Sequence, residues 1–317
     1  MAADTSGFVL AHADFDGPSY GLSRVGPDGA PAYWHDFQLT KAPPGPLRVA
    51  VLPAGATVFA GALAEAVDFG GGPLSSQGSA GFQVRLDASG HHISSAAFGA
   101  GAIREVAGVA SDASGDVAFA GSFAGTLDLG QGPMTPKDQS ADAFLARVDP
   151  TGTFLLAKAF GGPSDACVAV GMGCDQLAMA LGADAAGNLH LLGSYEGSLD
   201  VGLGNMNNPS GGDGFLARFT PAGKPAWSIQ PPSRRLSAMA VEAHGNALVG
   251  GTGMGVASPP PAIAIDHRDP DGKQTFGATF RSQGNATLMG LALDGAGNMA
   301  PSGTFVSAAS FHVGGGL

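Results

Sequence analysis

The eleven residues DAFLARVDPTG (142–152) return as DGFLARFTPAG (213–223), and three more stretches follow the same plan: SYGLSRVGPDG (19–29), AGFQVRLDASG (80–90) and AIAIDHRDPDG (262–272). Each closes on a turn, GPDG, DASG, DPTG, TPAG or DPDG, with proline second in four and glycine last in all five. Proline pre-sets the φ of a type I turn and the last residue wants a positive φ, so each copy predicts a hairpin between two strands. Eight residues beyond the turn glycine stands Phe37, Phe98, Phe160 or Phe280; only the 213–223 copy departs, with Ile229 and Gln230 near that place. A fixed distance from turn to aromatic predicts a short strand that ends in a constant packing site.

A second motif interleaves with the first: GATVFAG (55–61), GDVAFAG (115–121), GNLHLLG (187–193), GNALVGG (245–251) and GNMAPSG (297–303). Its leading glycine ends a turn of the same kind, as in DASG (112–115), DAAG (184–187) and DGAG (294–297). Its trailing glycine sits in an apolar run, where a missing side chain points to close backbone approach. Strand, turn, strand, loop, strand, turn, strand is therefore one antiparallel unit, repeated about every fifty to seventy residues. Such periodicity is the mark of a β-propeller.

The expected fold is all-β, a five-bladed β-propeller of four-stranded antiparallel blades. One blade is expected to be closed by both termini, which removes exposed sheet edges. Within a single domain, 1–317, this divides the chain into a half-blade 1–46, repeat units 47–104, 105–176, 177–235 and 236–286, and a closing half-blade 287–317. The alternative is six blades, with the N-terminal segment making one of its own.

Composition agrees with a turn-rich β protein. Gly 52 and Pro 22 would suggest low complexity, yet 44% apolar and only 13% charged residues argue for a buried core. A net charge of −11 with only 15 Lys+Arg excludes a protein that tracks nucleic-acid phosphates. No run approaches the roughly 18 apolar residues of a membrane helix, and residues 1–30 lack the pattern of an export signal. An exported chain whose signal has been removed and a cytoplasmic one are both compatible with that. Cys167 and Cys174 are the only cysteines. Their spacing in CVAVGMGC lets a hairpin bring them within disulfide range, which would imply an oxidising compartment, or they are idle buried thiols.

Stretches such as GDVAFAGSFAGTLDLGQGPM (115–134) and GNLHLLGSYEGSLDVGLGNM (187–206), each followed by a DAFLARVDPTG-type hairpin, resemble the SBBP-like β-propeller repeats of bacterial secreted and lipid-anchored proteins. The resemblance covers about 47–230; the unit 236–281 departs from it, with GMGVASPPPA (253–262) where the others carry DFGGG-like text. It implies a propeller and an exported, often surface-tethered protein, and brings no catalytic motif. There is no lipid-attachment cysteine near the start.

The sixth position of the first motif holds Arg24, Arg85, Arg147, Arg218 and His267, so four of the ten arginines share one repeat position. One reading makes them a ring of ligand contacts, since a guanidinium presents a planar fork of donors. The other pairs each with an acid of its own or the neighbouring blade, with Asp68, Asp128 and Asp200 as partners. Turn aspartates spaced a hairpin apart do not cluster as calcium ligands, even in ADFDG (13–17). His91 and His92 point to opposite faces of a strand. The isolated His12, His35, His190, His244 and His312 show no ligand spacing, so no metal and no cofactor is expected. GxSxG, P-loop and HExxH motifs are absent.

The functional expectation is a non-catalytic, extracellular or cell-surface recognition module, lectin-like or adhesive, binding a polysaccharide through several similar shallow sites. A protein–protein scaffold of a surface assembly is the alternative. A glycoside-hydrolase-type propeller with carboxylates in its channel is the third reading, although the non-repeat acids Asp36, Glu65, Glu105, Glu196 and Asp266 share no common context.

Overall fold

In the computed structural model, residues 1–4, 7–14, 16–137, 140–162, 174–231, 235–253, 262–281, 286–293 and 298–305 are described. Sheet 1 comprises β1 (Ala2–Asp4), β2 (Gly7–Asp14), β3 (Ser19–Val25) and β4 (Pro31–Gln38). Sheet 2 is formed by β5 (Arg48–Val51), β6 (Thr57–Leu63), β9 (Ala80–Leu86) and β10 (His92–Phe98), with β7 (Val67–Asp68) and β8 (Pro73–Leu74) as a small hairpin between its second and third strands. Sheet 3 repeats this with β11 (Ile103–Ser111), β12 (Val117–Phe123), the small hairpin β13 (Leu127–Asp128) and β14 (Pro133–Met134), β15 (Asp142–Val148) and β16 (Phe154–Phe160). Sheet 4 has β17 (Gln176–Ala183), β18 (Leu189–Asp200), β19 (Asn205–Phe219) and β20 (Pro225–Ile229), and sheet 5 has β21 (Arg235–Val241), β22 (Ala247–Gly253), β23 (Ala262–Arg268) and β24 (Gln274–Arg281). β25 (Ala286–Leu293) and β26 (Met299–Phe305) pair as a two-stranded sheet. The chain is all-β, a five-bladed β-propeller of four-stranded antiparallel sheets. Among the described residues the helical content is one 3-10 turn at Pro53–Gly55, and no helix is long and apolar enough to cross a membrane.

The sharing of a blade between the two ends is not what the strand pairing shows. Sheet 1 draws all its strands from residues 2–38, because Asp4 pairs with Gly7 and β1 lies alongside β2. The pairing recorded for β26 is with β25.

By contact the chain divides into two compact units, Met1–Ala159 and Phe160–Leu317. In the first, one core joins sheets 1 and 2 around Tyr20, Leu22, Phe59, Phe69 and Phe82, and another joins sheets 2 and 3 around Val58, Phe98, Phe119 and Phe144. The aromatic eight residues past each turn is the link: Phe37 packs on Phe59 and Phe69 (5.7 and 5.1 Å between centroids), and Phe98 on Phe119 (5.3 Å). In the second unit Leu192, Leu216, Leu236 and Val249 join sheets 4 and 5, while Phe280 packs against the cluster that carries Leu288 of β25.

Four of the five trailing glycines of the second motif have a common cause; the fifth, Gly61, instead lies against the Leu47 and Phe82 side chains. The first strand of a sheet is bulged at Val106/Gly108, Ala178/Ala180, Leu236/Ala238 and Leu288/Gly290. The bulge throws a carbonyl toward the second strand, so a Cβ at Gly121, Gly193, Gly251 or Gly303 would stand only 2.0, 2.4, 1.9 or 2.2 Å from the oxygen of Glu105, Leu177, Arg235 or Thr287. Only glycine leaves room for the bulged strand.

Candidate functional site

The repeated arginines lie on the third strand of sheets 1 to 4, and His267 on that of sheet 5, one residue before the end of the strand. Arg24, 3% exposed, is clamped by Asp4 of the same sheet (2.9 and 3.1 Å). Arg147 donates from Nε to Asp116 at 3.0 Å and from Nη2 to Asp112. Arg218 donates from Nη2 to Asp184 (3.0 Å) and from Nη1 to the Pro270 carbonyl of sheet 5 (3.0 Å). His267 stands 3.5 Å from Glu242. The partner acid is therefore the residue that opens the turn between first and second strands, as in Asp112-x-x-Gly115, Asp184-x-x-Gly187 and Glu242-x-x-Gly245.

Sheet 2 tests this rule, because Leu52 occupies that turn position. Arg85 accordingly reaches into sheet 3 and donates to the carbonyls of Gly115 (3.0 Å) and Asp149 (3.2 Å). Burial pulls its pKa below the ordinary arginine value, against the pull of Asp116 and Asp149. Asp68, Asp128 and Asp200, expected as arginine partners, do other work: each accepts the backbone N–H two residues on (Gly70, Gly130, Gly202) and closes the small hairpin or its equivalent. The five repeat residues are thus occupied internally and leave little surface to a ligand.

Cys174 is disulfide-bonded, while Cys167, the chain's other cysteine, lies outside the described residues. His312 and the turn 294–297 also fall outside them. Among the described residues no three His, Cys, Asp or Glu side chains converge as a metal site.

Two places break the repeat. One is His190 in β18, 0% exposed, where sheets 2, 3 and 5 carry Val58, Ala118 and Leu248 in the same register. Its ring meets Trp227 edge-on at 5.9 Å, and neither ring nitrogen has a hydrogen-bond partner among the described residues. Burial, aided by the Arg218 charge and opposed by Asp184, pushes its pKa down to about 4. No spacing in the sequence marked this histidine out; the signal was its departure from an otherwise apolar repeat position.

The other is an exposed face of sheet 1. Cross-strand pairing sets Leu10, Ser23 and Trp34 in one row, His12, Gly21 and Asp36 in the next, and Asp14, Ser19 and Gln38 in a third. In sheets 2 and 3 the same register positions carry Phe59, Gly61, Leu63 and Phe82, or Phe119, Gly121, Phe123 and Phe144, and these phenylalanines and leucines are buried in core. Trp34 is 62% exposed and Leu10 40%. His12 packs on Trp34 (5.9 Å) and lies over Gly21, where a Cβ would meet the ring at 1.9 Å.

No family model matches the chain, and no curated protein does. Solved structures that the chain matches include an apocarotenoid oxygenase/RPE65 chimera (14% identity, TM-score 0.44) and the Glu150Gln and Glu150Asp mutants of the Synechocystis apocarotenoid oxygenase (15% and 14%, TM-scores 0.46 and 0.44). They match over 93–96% of this chain, which spans 63–64% of theirs. These findings correct the expectation of a non-catalytic lectin-like or adhesion module, with its scaffold and glycoside-hydrolase alternatives. All three neighbours carry the name of an apocarotenoid oxygenase. At this identity and TM-score the likeness brings no residue and no reaction to the present chain.

Proposed function

We propose that the chain is an exported propeller built on SBBP-like repeats, and that it holds a polypeptide partner on a face where the repeat is broken. The observation that carries this reading is the exposed face of sheet 1: positions that are core phenylalanine in sheets 2 and 3 hold Leu10 and Gly21 there, the position of Leu63 and Phe123 holds Asp14, and His12 stands where those sheets have glycine, beside an open Trp34. A solvated tryptophan costs apolar surface, and exposed apolar patches rimmed by polar residues commonly mark contact sites. The bonded Cys174 supports an oxidising compartment.

The test is capture of partners from the envelope fraction of the source cells on immobilised protein, wild type against Trp34→Ser. A polypeptide held by wild type and lost with the variant supports the reading. Equal capture by both, or none by either, overturns it.

A further inference from the structure

The face that departs from the repeat also departs in charge. Between residues 2 and 38 the chain has five aspartates, Asp4, Asp14, Asp16, Asp28 and Asp36, and one basic side chain other than histidine, Arg24. Arg24 is buried against Asp4 on the opposite side of the sheet, the side that carries Val9, Tyr20 and Leu22. Asp14 and Asp36 lie on the Trp34 side, Asp36 in the row of His12 and Asp14 in the row beyond it, and both are exposed. Asp14 Oδ1 accepts the backbone N–H of Asp16 (3.0 Å) and of Gly17 (3.1 Å). Asp36 Oδ2 accepts from Gln38 Nε2 (2.8 Å). Each carboxylate is held in place at one oxygen while its charge faces solvent.

We infer that this face docks a basic, extended segment of a partner protein, with an arginine or lysine over the Trp34 and His12 rings and flanking cations on Asp14 and Asp36. The inference rests on the partner-binding reading above and specifies its chemistry. A cation over an indole face is attracted by the ring quadrupole. Adjacent carboxylates take a guanidinium in charge-assisted hydrogen bonds. Strand spacing of about 4.8 Å and row spacing of about 7 Å match an extended peptide that presents alternate side chains to one face. A core face elsewhere in the molecule has thus become a surface that pairs aromatic area with negative charge.

The probe is an acetylated, amidated Gly-Arg-Gly-Arg-Gly-Arg-Gly peptide, with its citrulline counterpart, measured by titration calorimetry on the full chain. The arginine peptide is expected to bind, the citrulline peptide at least tenfold more weakly, and Trp34→Ser and Asp36→Asn each to weaken the arginine peptide at least threefold. Asp271→Asn removes one exposed acid elsewhere on a chain of net charge −11 and is expected to leave binding unchanged. Equal loss with Asp271→Asn means diffuse attraction to an acidic protein and overturns the inference, as does binding that ignores the charge of the peptide. Thermal melts of each variant confirm folding, since Trp34, Asp36 and Asp271 are exposed. Sedimentation of the chain alone decides against a second copy as occupant: self-association that Trp34→Ser abolishes would overturn the proposal. If envelope capture depends on Trp34 while the arginine peptide fails to bind, the partner-binding reading stands and its basic chemistry falls.

Discussion

His190 shows how one side chain sets a response to acid. Unfolded, its imidazole takes up a proton near pH 6.5; in the folded sheet, burial beside Arg218 holds that uptake to about pH 4. Between those values the unfolded chain binds the extra proton, so stability falls as pH falls through that window. The contribution is complete above about pH 6.5, and the loss levels off below about pH 4 at about 3 kcal/mol. Urea midpoints at pH 7 and pH 4.5 should differ more for wild type than for His190→Leu, and parallel curves for the two proteins would refute the assignment. Arg147 makes the complementary point. Removing it leaves Asp112 and Asp116 facing each other in a largely buried turn without their cation, so Arg147→Met should cost about 3 kcal/mol in denaturant unfolding. The repeat position of the arginines is plain in the sequence. Their partners are not, because the pairing acid comes from a different hairpin, some thirty residues away in sequence, and Arg85 finds none at all and uses carbonyls.

At the scale of the element, glycine falls into two kinds that look alike in the sequence. Gly121 sits beneath the bulge of β11, and a methyl group there would overlap the Glu105 carbonyl. Gly125 has positive φ (85°) and open space around its missing Cβ. Gly121→Ala should therefore cost about 3 kcal/mol, since β11 or β12 has to shift, and Gly125→Ala only about 1 kcal/mol, the strain of a left-handed alanine. A comparison of their denaturation midpoints checks the order; equal losses would mean that the bulge yields freely. The spacing of glycines and turns was enough to place the hairpins, because turn chemistry is local. The small hairpins β7–β8 and β13–β14 were readable only as loops, for two-residue strands leave no periodicity to detect.

At the scale of the molecule, the bonded Cys174 is what the proposed export to an oxidising environment predicts, and that has a simple check. The denatured, unreduced protein should show no titratable thiol with a thiol reagent; two thiols per chain would remove the support for export. The fold class was legible because each sheet is a local unit, assembled from strands that neighbour one another in sequence, so repeat and turn patterns carry it. The first sheet was misjudged although DTSG (4–7) is spelled like the turn DASG (112–115), because the strand before it, Ala2–Asp4, is only three residues long and leaves no alternation to read.

The amino-acid sequence by itself determined the hairpins, the four-stranded unit, the aromatic that links one sheet to the next and the close approach at the trailing glycines, all of which follow from local turn chemistry and strand alternation. Only the tertiary structure decided what the arginines hold, that His190 is sealed in the interior, and that Leu10, His12 and Trp34 share an open face. Those outcomes depend on which sheet lies against which, and packing between sheets is a non-local property that alternation and turn signals do not encode.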